Sequence, residues 1–141
     1  MIKLPVLFAD SADCVVGLLR SSEFNFYQTG SRFFQTFDYN SDWDFFVEES
    51  DSVREFLKNN QFYQNAMNEH YGDTATSEVW EGSFKDVLVH IQLVHANWME
   101  HKIKAHDVIL EHKYHLVFKH RGKRDARLIW TAILKTLKSL E

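Results

Sequence analysis

Asp42 and Asp44 stand two positions apart in the aromatic run "NSDWDFFVE" (40–48), twelve residues after the pair Gly30-Ser31. In a strand, alternate side chains share a face, so both carboxylates project the same way, about 6–7 Å apart along the chain. Aspartate is a poor strand residue, and two on one face repel each other unless a cation lies between them. Mg²⁺ takes oxygen ligands, keeps several waters and commonly binds through one or two carboxylates plus substrate phosphates. The chemistry that suits Asp42 and Asp44 is therefore the holding of Mg²⁺ or Mn²⁺. Gly30 lets the backbone turn tightly and approach a ligand with no Cβ in the way. Ser31 and the amides after it can donate to phosphate oxygens if "SRFF" (31–34) opens a helical turn. Arg32 either adds charge there or is solvated.

These residues need strands and turns to hold them. "DSADCVVGLLRSS" (10–22) has apolar residues at helical spacing and Asp10 as an N-cap, which predicts a helix. "FNFYQ" (24–28) alternates and predicts a strand ending at Gly30. Residues 42–48 predict a second strand, with Trp43, Phe45 and Val47 toward the core and Asp42 and Asp44 on the opposite face. "SDSVREFLKNN" (50–60) predicts a helix capped by Ser50 or Ser52. "SEVWEGSFKDVLVHIQLV" (77–94) predicts a hairpin turning near Gly82–Asp86. In its second arm Val87, Val89, Ile91 and Leu93 form one face; Asp86, Leu88, His90, Gln92 and Val94 form the other. From Asn97 to about Leu116 the pattern is helical. Residues 123–140 predict a long amphipathic helix with Ile129, Trp130, Ile133, Leu134 and Leu137 on its buried stripe. The order predicts a single α+β domain over residues 1–141, a small mixed sheet packed with helices. Its core spans 10–95, followed by C-terminal helices over 97–140.

"TGSRFF" followed by "NSDWDFFV" resembles the signature of the nucleotidyltransferase superfamily, the minimal polymerase-β-like fold. The resemblance covers roughly residues 10–95. It implies transfer of a nucleoside monophosphate from an NTP to a hydroxyl acceptor, which in the superfamily is a small molecule, an RNA end or a protein. It implies that Asp42 and Asp44 hold metal, with Gly30, Ser31 and Arg32 at the nucleotide.

This chain departs from the pattern at the third carboxylate. The family phrasing resembles V-D-V-Q-L-V; here it is "VHIQLV" (89–94), with His90 in the aspartate's place. Asp86 shares that face but lies about 13 Å away along an extended strand. Gln35 stands near the place of a second small residue. Histidine is a poor Mg²⁺ ligand but serves as a general base near neutral pH. Three readings follow: a one-metal transferase, an enzyme with His90 as base, and a module that keeps the fold without the chemistry. The last acts by binding a nucleotide or a partner protein, as an inhibitor or antitoxin-like component.

The rest of the composition fits. The chain has 141 residues, 45% hydrophobic and 15% aromatic, enough for one core and unlike a disordered segment. No apolar run nears 18 residues, so no membrane span is expected. The start "MIKLPVLFADSAD" is too short and too soon acidic for a signal peptide. The single cysteine, Cys14, cannot form an internal disulfide and reads as a buried thiol, which fits a reducing cytoplasm. The net charge of −4 conceals an asymmetry. Residues 1–60 carry ten acidic and five basic side chains, whereas 101–141 carry four acidic and ten basic, a balance of +6. That polarity suits a metal on one side and phosphates on the other, or a solvated basic surface. The tract "KHRGKRDAR" (119–127) is a basic turn that either meets phosphates or is solvated. Of His101, His106, His112, His115 and His120, only His112 and His115 have helical i, i+3 spacing, and the group reads as solvated or locally paired.

Overall fold

In the computed structural model, the described residues are 13–36, 42–64, 74–84 and 87–141. Five strands form one mixed sheet in the order β1-β2-β5-β4-β3. The helices cover both of its faces. Asp10, Asp86 and the hairpin turn fall outside the described residues.

Helix α1 (Asp13–Ser21) leads into β1 (Tyr27–Thr29), which begins later than its aromatic alternation suggests. The Phe24 amide donates to Ser22 Oγ at 3.3 Å, so the chain is still turning there. Phe24 and Phe26 instead pack on Phe56, with ring centroids 5.6 and 6.1 Å away. Gly30 opens a short helix, α2 (Gly30–Phe34), the helical turn expected from "SRFF". It closes with Gln35 in the left-handed region, φ 67°.

Strand β2 (Trp43–Glu48) follows, then α3 (Asp51–Asn59). Ser50 caps α3 by accepting the Val53 amide at 3.1 Å, satisfying one of the orphan donors at a helix start. The short edge strand β3 (Tyr63–Gln64), which the sequence pattern did not announce, precedes the hairpin of β4 (Thr76–Phe84) and β5 (Val87–Val94). Strand β2 runs antiparallel to β1 and parallel to β5. Parallel partners need a crossover, and the segment from α3 through β4 supplies it.

The helical run after Ala96 is two helices rather than one: α4 (Ala96–Glu111) and α5 (Tyr114–Arg121). Lys113 adopts φ 55°, which stops the helical ladder, and so separates His112 from the helix that contains His115. Gly122, at φ 89°, divides α5 from α6 (Lys123–Ser139). Ala126, Trp130 and Leu134 are the buried residues of α6, while Ile129, Ile133 and Leu137 pack partly buried beside them. None of the described helices is long and apolar enough to cross a membrane.

Strand alternation divides the core in two. Trp43, Phe45, Val47, Val89, Ile91 and Leu93 face α1 and α3. Phe46 and Val94 face the opposite way, under α2, α4, α5 and α6, with Phe33, Ile109, Phe118 and Trp130. Burying each such side chain is worth about 1.5–3 kcal/mol, so a one-residue slip in β2 or β5 would forfeit several of these at once. That cost fixes the register on which the candidate site depends.

Candidate functional site

Asp44 lies on β2, an inner strand of the sheet, and Asp42 immediately precedes that strand. Strand β2 is flanked by β1 and β5, and its register sets Thr29 beside Asp44 on one side and His90 beside Asp44 on the other. Strand β4 adds Glu81, paired with His90 across the hairpin. Asp44, His90 and Glu81 therefore form a row across three adjacent strands, and Asp42 joins it from the start of β2.

The imidazole of His90 lies at the centre. Its Nδ1 is 3.5 Å from Asp42 Oδ2 and 3.5 Å from Asp44 Oδ1, and its Nε2 is 3.4 Å from Glu81 Oε1. Glu81 is held in turn by Tyr63, whose hydroxyl donates to Oε2 at 2.8 Å. The Asp44 hydrogen bond, with the charges of Asp44, Asp42 and Glu81, raises the His90 pKa above its usual value against the opposing effect of burial. Asp42 is also raised, which an ion pair alone would not do. Burial is the main cause, and repulsion from Asp44 and Glu81 adds to it. Together they outweigh the attraction of His90 and of Lys123 at the start of α6. The carboxylates are thus crowded around a single imidazole.

Gly30 closes the other side of Asp44. Its φ is +72°, and a Cβ built on it would lie 2.7 Å from Asp44 Cγ and 2.8 Å from Asp44 Cβ. Real Cβ contacts are not that short, so only glycine lets the turn rest on this carboxylate. Ser31 follows at the second position of α2.

Gly30, Asp42, Asp44 and His90 are therefore brought together. Arg32 is not solvated: it is 9% exposed and stacks its guanidinium 4.3 Å over the Trp43 ring. An arginine favours an aromatic face because the delocalised cation is weakly hydrated. Its charge is drawn into the protein rather than presented outward. His106 fits the locally paired reading rather than the solvated one: its Nδ1 meets the Lys102 carbonyl one turn away, and the ring is buried. Glu81 was missed because its place depends on the hairpin register. A turn centred within Gly82–Asp86 would set Glu78 across from His90, whereas the pairing of Phe84 with Val87 sets Glu81 there. Glu78 instead accepts from Arg54 Nε at 2.8 Å and from Trp80 Nε1 at 2.9 Å.

The donor set offers hard carboxylate oxygens, the kind Mg²⁺ and Mn²⁺ take. Asp42 and Asp44 both direct an oxygen to the same neighbour, so a cation could be shared between them. Among the described residues no three His, Cys, Asp or Glu side chains are arranged to hold one metal ion. A cation here would be completed by phosphate oxygens and water. Comparison with family models, curated proteins and solved structures finds no match.

Proposed function

We propose that this protein is a nucleotidyltransferase-like enzyme that transfers a nucleoside monophosphate from an NTP to an acceptor hydroxyl. The observation that carries this reading is the seating of the Gly30 turn against Asp44, with Asp42 just before the same strand and facing the same imidazole. In this reading Asp42 and Asp44 hold Mg²⁺ or Mn²⁺, and Gly30 and Ser31 meet the phosphates. The metal, when bound, neutralises phosphate charge that would otherwise meet two carboxylates. The acceptor oxygen forms a bond to the α-phosphorus, pyrophosphate leaves, and in this reading His90, in its neutral form, takes the hydroxyl proton.

A second reading is favoured by the His90 imidazole, which stands between Asp42, Asp44 and Glu81 where a cation would serve. In it, the domain binds a nucleotide or a partner protein without chemistry. Calorimetry with a non-hydrolysable NTP analogue separates the two. The transferase reading expects binding in Mg²⁺ that is lost in EDTA and in Asp42→Asn and Asp44→Asn, together with pyrophosphate release from NTP. Equal affinity in EDTA and Mg²⁺ rejects metal-bridged binding and selects the second reading.

A further inference from the structure

Thr29 occupies the N-cap position of α2, with the extended backbone expected there, φ −145° and ψ −164°. An N-cap threonine ordinarily turns its oxygen onto an amide of the first helical turn. Thr29 makes no such bond. Its hydroxyl lies 2.8 Å from Nε2 of His106, a residue of α4 that is 77 positions away in the chain.

His106 is well placed to hold it. The ring is 5% exposed and packs against Phe33, Phe46 and Trp130, with centroids 4.7, 4.8 and 5.9 Å away. Its Nδ1 lies 2.7 Å from the carbonyl oxygen of Lys102, one turn earlier on α4. A carbonyl oxygen can only accept, so Nδ1 carries a hydrogen. In the neutral ring Nε2 is then the acceptor, and the Thr29 hydroxyl donates to it. The backbone carbonyl of α4 thus sets the tautomer, and the tautomer sets the direction of the bond to Thr29.

Thr29 is consequently held on two sides. Strand pairing places it beside Asp44, and its side chain is tied to α4. The next residue is Gly30, whose left-handed turn rests on the Asp44 carboxylate. We infer that His106 is a positioning residue that fixes the Gly30–Ser31 turn against Asp44 through the hydroxyl of Thr29. The role in ligand binding rests on the transferase reading of the site, whereas the positioning itself does not.

The test compares Thr29→Val, which keeps the shape and removes the hydroxyl, with Thr29→Ser, which keeps the hydroxyl. Amide hydrogen exchange and long-range ¹H–¹⁵N spectra of the imidazole are read on the full chain. Thr29→Val is expected to speed exchange of the α2 amides about tenfold while α6 is unchanged, and to move the His106 Nε2 resonance. Thr29→Ser is expected to stay within about twofold of wild type. His106→Gln, which retains a polar atom near the hydroxyl, is expected to restore part of the α2 protection that His106→Leu loses, and it serves if Thr29→Val does not fold. Equal α2 exchange in Thr29→Val and wild type, or in His106→Gln and His106→Leu, overturns the inference. Binding of a Mn²⁺–NTP analogue is measured alongside, with about tenfold weakening expected in Thr29→Val and none in Thr29→Ser. Altered α2 exchange in a protein whose wild type binds no Mn²⁺–NTP would sustain the positioning role and reject the transferase reading.

Discussion

The carboxylate of Asp44 is wedged between the Cα of Gly30 and the imidazole of His90. A Cβ at position 30 would meet Asp44 Cγ at 2.7 Å, and Asp44 Oδ1 is 3.5 Å from His90 Nδ1. One side chain thus joins the turn, the strand and the ring, and changes at any of the three should be felt at the others.

Gly30→Ala should be costly for two reasons, its positive φ and the contact with Asp44. The left-handed conformation alone costs a non-glycine residue of order 1–3 kcal/mol. Gly17, exposed in α1 with nothing within 4 Å of its Cβ position, is the internal control. Gly17→Ala should gain about 0.5–1 kcal/mol from helix propensity. Urea unfolding of the two variants should give opposite signs; a neutral Gly30→Ala would contradict the close seating on Asp44.

His90 should titrate above its usual value of 6.5. Because the Asp44 hydrogen bond is the largest cause, Asp44→Asn should bring it down. The sign for stability follows from linkage. A raised imidazole pKa contributes stability that is complete below the unfolded value and is lost as pH rises through the folded one. NMR titration of the His90 ring in wild type and Asp44→Asn reads this directly, and an unchanged pKa in the variant would show that the two groups do not interact.

His90→Asp should convert the site from one filled by an imidazole to one that requires a cation. The substitution would set a third aspartate beside Asp42 and Asp44, with Glu81 across the hairpin. Without metal the variant should melt below wild type through like-charge repulsion, and Mn²⁺ should recover much of the loss. Thermal unfolding with and without Mn²⁺ measures it. Indifference of the variant to Mn²⁺ would mean that position 90 does not face the aspartates.

Glu49 gives a second pH dependence, of opposite sign. Hydrogen bonding from Ser77 first, then from His95, with the charges of His95 and Arg54, holds its carboxyl below the usual carboxylate value despite some burial. Its contribution should be complete above the ordinary 4.5 and lost as pH falls through the lowered value. The Ser77 hydroxyl has one hydrogen and also lies 3.1 Å from the Leu93 carbonyl, and the site is partly open to solvent. The effect should therefore stay under about 1 kcal/mol. Ser77→Ala should flatten the acid limb of the stability curve, which denaturant melts between pH 3 and 6 would show.

The alternation of "WDFFVE" was enough to place Asp42 and Asp44 on one face and Trp43, Phe45 and Val47 on the other, because a strand's period of two is local and burial enforces it. Gly30 was legible for a similar reason, since a positive φ beside a strand end narrows the choice of residue. The α3 cap at Ser50 and most of the buried stripe of α6 were readable from short-range chemistry. The partners were not. His90 meets Asp44 only because β5 chose β2 as its parallel neighbour, and that choice is made by the packing of Val89, Ile91 and Leu93 under α1 and α3. Glu81 faces His90 rather than Glu78 because of where the hairpin turns, a shift that residue spacing alone leaves open. The burial of Arg32 over Trp43 and the bond from His106 to Thr29 both arise from contacts between separate segments. Local periodicity fixes which way a side chain points. Which neighbour it meets is decided by the summed burial of the core, to which every element contributes.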